Sequence, residues 1–167
     1  MNPTDAEALI ESLFNEHHAR VLNYAFRLTG NREEAEDAAG QVFLSLAVQL
    51  RGGERPANPL AWLYRCTANR VTSVKRKALV RSGNLGDVWR WIVGQSTPST
   101  PDPLPEVRNA MARLKATDRE VITLVYDEEL DMSVIAQILG LEESSARSRL
   151  SRALERLRGE MKGHSHE

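Results

Sequence analysis

The chain has 167 residues, 41% hydrophobic and 27% charged, with a formal net charge of −1. That balance lets a soluble chain bury a core without metal or disulfide staples, and one cysteine, Cys66, excludes an internal disulfide framework and suits a reducing compartment. No apolar run approaches the ~20 residues that span a bilayer. Residues 1–5 lack the basic flank and apolar core of a signal peptide, so a cytoplasmic location without membrane insertion is expected.

Thr4 and Glu7 have capping-box spacing. Behind them Leu9, Ile10, Leu13, Phe14, Val21, Leu22, Ala25 and Leu28 recur as the buried face of a first helix that stops at Gly30. Asn31 caps the second helix, with Glu34 at the box position and Ala35, Ala38, Val42, Phe43, Leu46 and Leu50 as its stripe. Gly52 and Gly53 end it. After a loop through Pro56, Asn58 is a cap and Pro59 fills the first helical position. The third helix is predicted from Leu60 to about Lys77, with Leu63, Thr67 or Ala68, Val71 and Val74 inward. Trp62 and Tyr64 stand two apart and cannot face one way, and Trp62 is assigned to the core.

Periodicity fades between residues 78 and 105. The run from Ser96 through Pro98 and Pro101 to Pro103 cannot propagate a helix and reads as a linker. Trp89, Trp91, Ile92 and Val93 just before it suit either a short docked helix or an anchor for a partner. Beyond the linker, Val107, Met111 and Leu114 mark a helix. Thr117 and Glu120 form a second capping box, opening a helix with Val121, Leu124 and Val125 inward. Ser133 caps a short helix carrying Ile135, Ala136 and Leu139; Gly140 breaks it, and a last helix begins near Glu143. No strand-like alternation occurs. The fold class is therefore all-α, two small helical domains joined by a flexible linker: residues 1–78, a linker over 79–105, a second domain over 106–162 and a polar tail from 163 to 167.

Residues 133–157 carry the strongest single pattern. A short helix, a glycine turn through Leu141 and a second helix are the parts of a helix-turn-helix. Ala136 and Ala146 put small residues where two helices cross closely, and Gly140 permits the positive φ of the turn. Ala146, Leu150, Ala153, Leu154 and Leu157 form the inward face. Ser144, Ser145, Arg147, Ser148, Arg149, Arg152 and Arg156 are left outward or flanking. Short hydroxyls allow close approach to a groove, and arginines reach phosphate or pair with guanine. A plain hairpin with a solvated basic face would not need the glycine, the small residues and the basic face together.

Charge is segregated in a way the near-neutral total hides. Arg65, Arg70, Lys75, Arg76 and Lys77 stand together without an acid. From Asp118 to Glu143 acids dominate, and Arg147, Arg149, Arg152, Arg156 and Arg158 then follow, opposed by Glu155 alone. Two basic helices in acidic surroundings give two local footprints for nucleic acid.

Ala112-Arg113-Leu114, Asp118-Arg119-Glu120-Val121, Ile135-Ala136-Gln137-Ile138-Leu139-Gly140 and Ala146-Arg147-Ser148-Arg149-Leu150-Ser151-Arg152-Ala153 resemble region 4 of extracytoplasmic-function (ECF) sigma factors. Leu28-Thr29-Gly30-Asn31-Arg32-Glu33-Glu34-Ala35-Glu36-Asp37, Val42-Phe43-Leu44, Ala61-Trp62-Leu63-Tyr64-Arg65 and Asn69 resemble their region 2. The resemblance implies a transcription-initiation subunit that directs core RNA polymerase to promoters. Glu36, Asp37 and Gln41 would dock on the β′ clamp helices. The loop with Arg51, Arg55 and Asn58 would hold a base flipped from the −10 element, at a few kcal/mol of unstacking. On the third helix Tyr64 would lie near bases, with Arg65, Asn69, Arg70, Ser73, Lys75 and Arg76 along the opening duplex. Ser144, Ser145, Arg147, Ser148, Arg149 and Arg152 would read the −35 element. The partners implied are core polymerase (β′ clamp helices and β flap), promoter DNA and an anti-sigma factor covering helices of both domains. The chain departs from the family at Gly40-Gln41, where glutamine and an acid are usual. It departs again at Ser73, where aspartate is common, and at Glu142, where serine usually caps the recognition helix.

A helix-turn-helix regulator with an N-terminal regulatory domain would share the C-terminal motif, but would leave the aromatic and basic helix from Trp62 to Lys77 unexplained. An enzyme would need a phosphate loop, a nucleophile motif or metal-spaced ligands. None occurs, so no catalytic residue, cofactor or metal site is expected. His17 and His18 lie on the first helix, His164 and His166 in the polar tail. Cys66 reads as a packed small hydrophobe.

Overall fold

A computed structural model describes residues 2–82 and 105–163. The chain divides into two compact units, Met1–Val88 and Trp89–Glu167. Among the described residues the elements are α1 (Pro3–Thr29), α2 (Arg32–Arg51), α3 (Pro59–Ser82), α4 (Pro105–Arg113), α5 (Ala116–Tyr126), α6 (Met132–Leu139) and α7 (Glu143–Lys162), with no strand.

In the first unit the α1–α2 corner is fixed by local polar groups. Gly30 adopts φ 66° and donates its N–H to the Phe26 carbonyl. The buried Thr29 hydroxyl donates to the Ala25 and Asn31 carbonyls at 2.9 and 3.0 Å. Asn31 Oδ1 accepts the Glu34 N–H at 3.2 Å, as its cap position requires. Leu13 and Val21 of α1, Ala39, Val42, Phe43, Leu46 and Leu50 of α2 and Leu63 of α3 form one apolar cluster. Ala25, Ala35, Ala38 and Val71 form a second, where small side chains allow close helix approach.

Five expectations change here. Thr4 and Glu7 form no capping box, because α1 starts at Pro3 behind Asn2 with no side-chain cap; proline's fixed φ and missing N–H suit that first position. Phe14 is 41% exposed; its ring stacks on His18 at 4.3 Å and meets Phe43 edge-on at 5.0 Å, forming a lid over the core rather than part of it. Val74 is 52% exposed. Most consequentially, Tyr64 is fully buried against the Tyr24 ring at 4.7 Å, whereas Trp62 is half-buried. Tyr64 is the fully buried one of the two, while Trp62 packs against the edge of the α1–α2–α3 apolar cluster and keeps part of its surface exposed. Thr67 rather than Ala68 turns inward, its hydroxyl donating to the Leu63 carbonyl at 2.7 Å. The third helix also runs on to Ser82, past the predicted end.

In the second unit Ala110, Leu114, Val121, Ile122, Leu124, Ile135, Ala136, Ile138, Ala146 and Ala153 are buried. Gly140 has φ 66°, its N–H reaches the Gln137 carbonyl and the Leu141 N–H reaches the Ala136 carbonyl, a two-bond glycine stop for α6. Neither predicted cap operates. Helix α5 begins at Ala116 behind Lys115, and α6 at Met132 behind Asp131, each without a side-chain cap; Thr117 and Ser133 lie inside their helices. Residues 83–104, with Trp89, Trp91, Ile92 and Val93, lie outside the described residues, as do His164 and His166.

Candidate nucleic-acid interface

Helix α7 emerges from the glycine turn with its extended N-cap at Glu142, as the sequence implies. Ala146 and Ala153 are buried, and Leu150, Leu154 and Leu157 are half-buried. The opposite face carries Ser144, Ser145, Ser148, Ser151 and Arg152, which line a shallow, open depression. All five are exposed, so a surface of short hydroxyls with one long cation faces outward.

The arginines of α7 are not equivalent. Arg147 is ion-paired with Glu143 one turn earlier. Arg149 is half-buried, and its charge acts on Glu120 of α5; burial raises the Glu120 carboxyl, and Arg149 partly offsets that. Arg156 Nη1 donates to Asp118 Oδ2 at 2.6 Å, and the Asp118 side chain is only 5% exposed. Arg152 is exposed, its Nε donating to the Ser148 carbonyl at 3.3 Å. The acids that surround this helix in sequence thus hold several of its cations in place. Sequence reasoning missed the Asp118–Arg156 tie, because two residues 38 apart carry no periodic signal.

On α3, Arg65, Asn69 and Ser73 recur at steps of four and are all exposed, forming one continuous polar stripe. Arg70 is half-buried, and its Nε is buried without a hydrogen-bond partner. Tyr64 does not join the stripe: a fully buried ring cannot meet a base. Trp62, partly exposed one turn before Arg65 and Cys66, is the aromatic at that surface. Lys75 and Arg76 lie on the later part of α3, where the side chains are outside the described residues. Arg51, the last residue of α2, and Arg55 of the loop that follows are exposed, and Arg51 approaches Glu7 at 4.0 Å. Asn58 Oδ1 accepts the Ala61 N–H at 3.1 Å, so that oxygen serves as the α3 cap.

On α2, Asp37 is exposed, Gln41 half-buried, and Glu36 is ion-paired with Arg32 at 2.8 Å. Gly40 is exposed, and a Cβ there would meet nothing within 4 Å. Among the described residues no His, Cys, Asp or Glu group is placed to hold a metal ion, and no helix is long and apolar enough to cross a membrane.

The family model for sigma-70 region 2 matches residues 13–79, and that for sigma-70 region 4 matches residues 104–157. The ECF RNA polymerase sigma factor SigL of Mycobacterium tuberculosis is 32% identical over 166 residues, spanning 90% of this chain and 88% of SigL. The chain belongs to the ECF sigma factors. RNA polymerase sigma factor YlaC of Bacillus subtilis is 27% identical, with 86% of this chain and 87% of YlaC covered. Two solved structures share the fold. Sigma factor RpoE from Bartonella quintana, in complex with the anti-sigma factor NepR, has a TM-score of 0.67 at 22% identity, covering 91% of this chain and 96% of that one. CnrH, in complex with the cytosolic domain of CnrY, has a TM-score of 0.64 at 18% identity, covering 97% and 96%. As an RNA polymerase sigma factor, this protein carries region 2 in α1–α3 and region 4 in α4–α7.

Proposed function

We propose that this sigma factor docks on the β′ clamp helices of core polymerase through α2, and opens the −10 element with α3 and the loop before it. The serine-lined face of α7 reads the −35 element. The observation that carries the reading is that face: four exposed serines and Arg152 on the helix after the glycine turn, in a chain that also matches region 2. Hydroxyls there bring the helix backbone close to base edges, while Arg152 reaches guanine or phosphate. Arg147 and Arg149 contribute at the flanks, and Arg156 acts as a strut. On α3, Arg65 and Asn69 line up toward DNA with Ser73, with Arg70, Lys75 and Arg76 supplying further cationic reach. Trp62 takes the base-stacking role that the sequence suggested for Tyr64. Arg51, Arg55 and the amide nitrogen of Asn58 border the flipped base.

The domain roles follow: residues 1–82, to the end of α3, for polymerase and the −10 element, the stretch between α3 and α4 as the tether, and residues 105–162 for the −35 element with contact to the β flap. The fold shared with RpoE, solved with the anti-sigma factor NepR, and with CnrH, solved with the cytosolic domain of CnrY, supports an anti-sigma factor for this chain as well. We read it as a non-enzymatic subunit acting in the cytoplasm.

A gel-shift comparison tests this against a stand-alone regulator. Promoter duplex should be retarded specifically by the protein with core polymerase, and not by the protein alone. Specific retardation by the protein alone would favour the regulator.

A further inference from the structure

Along α2, opposite its buried face, run Asp37, Gln41, Leu44, Val48 and Arg51, at steps of four, three, four and three. That alternation is the spacing by which one helix packs lengthwise on another. The inner face of α2, from Ala35 to Leu50, is already buried in the core. On the outer seam Leu44 is 60% exposed and Val48 72% exposed, the two largest exposures among the exposed large hydrophobic residues alongside Tyr126 at 59%. Helix α2 therefore has two packing faces, of which the fold uses one.

The groups beside the seam argue against a mainly electrostatic contact. Glu36 is held by Arg32 at 2.8 Å. Position 40 is a glycine opening on empty space, and Gln41 is neutral. Of the three proposed docking residues, only Asp37 presents a carboxylate outside any ion pair among the described residues. We infer that α2 grips polymerase mainly through the apolar pair Leu44 and Val48, against a helix lying along α2 with apolar side chains there and a basic one beside Asp37. This rests on the polymerase-docking reading of α2. The occupant follows from the helical spacing, from the continuity of the seam with Asp37 and Gln41, and from the acidic start of the seam. An apolar contact of this kind resists salt, whereas an acidic patch against basic residues is screened.

The test measures binding of the full-length protein to core polymerase by fluorescence anisotropy, at about 0.1 M and about 0.5 M salt. Leu44→Ser combined with Val48→Ser should raise Kd at least about tenfold at both salts. Asp37→Asn should weaken binding less, and chiefly at low salt. Both apolar residues are exposed, so the double variant should lose only the small helix propensity that leucine holds over serine, and Leu44→Met with Val48→Ile should retain binding. Wild-type affinity in the serine variant would overturn the inference and leave the sigma-factor reading intact, also if that variant lost self-association instead. Failure of the wild type itself to bind core would overturn both.

Discussion

Arg156 lies on the helix that bears the outward-facing serines, yet its partner is the nearly buried Asp118 of α5. Removing Asp118 strands a half-exposed guanidinium and a polar hole, whereas removing Arg152 strands nothing. Asp118→Ala should therefore cost about 1–3 kcal/mol, read from urea denaturation or amide exchange in α5 and α7. Arg152→Ala should leave stability within about 0.5 kcal/mol and lower −35-dependent promoter affinity instead. Two titratable groups, the buried His17 and the half-buried Glu120, give opposite pH responses. Burial holds the His17 imidazole below its ordinary 6.5, with Glu16 opposing, so the fold favours the neutral ring. Its contribution is complete above that value and is lost as pH falls through the folded-state value. The thermal stability of the first unit should decline on mild acidification, and His17→Gln should remove that part of the decline. Glu120 is raised above its ordinary 4.5, mainly by burial, so its contribution is present below that value and lost as pH rises through the folded-state value. Glu120→Gln should stabilise the second unit at neutral pH, an advantage that disappears in acid. Cys66 is half-buried against the core, and burial pushes its thiol up, which accords with a packing role.

At the scale of elements, glycine has two opposite meanings. Gly40 sits exposed inside α2 with open space where a side chain would be, so Gly40→Ala should stabilise the helix by about 0.5–1 kcal/mol in a thermal melt. Gly140 turns the chain at φ 66°, and Gly140→Ala should cost about 1–2 kcal/mol and loosen the helix-turn-helix. Glycine stops at Gly30 and Gly140 and caps at Asn31 and Asn58 were legible because side chain and backbone act within one turn. The boxes at Thr4 and Thr117 and the cap at Ser133 were not, because each helix starts one residue earlier than its hydroxyl. The buried stripe of α2 was legible from Ala35 to Leu50 except for Ala39, which is buried as well. Tyr64 was misplaced for a tertiary reason: the ring that receives it, Tyr24, lies on another helix. A local signal did exist, since Tyr64, Thr67 and Val71 share one helical face. Leu44 and Val48 were likewise visible as apolar residues left over from the core stripe.

At the scale of the whole molecule, each unit closes its own core and leaves one polar helix face outward: Arg65, Asn69 and Ser73 on α3, and the serine face on α7. In the proposed reading these two faces let a near-neutral chain bind DNA at separated elements, its acids steadying arginines on α7 while none stands near those of α3 in sequence. The helix-turn-helix and the order of the motifs were readable in the sequence; the division of labour among the arginines was not, since it depends on contacts across α5 and α7. The central claim is that this protein chooses where polymerase begins. Mapping RNA 5′ ends made in vitro by core polymerase, with and without the protein, tests it most directly. Discrete new starts should appear that require the protein and fade with Arg152→Ala or Asn69→Ala; an unchanged pattern of starts on adding it would contradict a role in promoter selection.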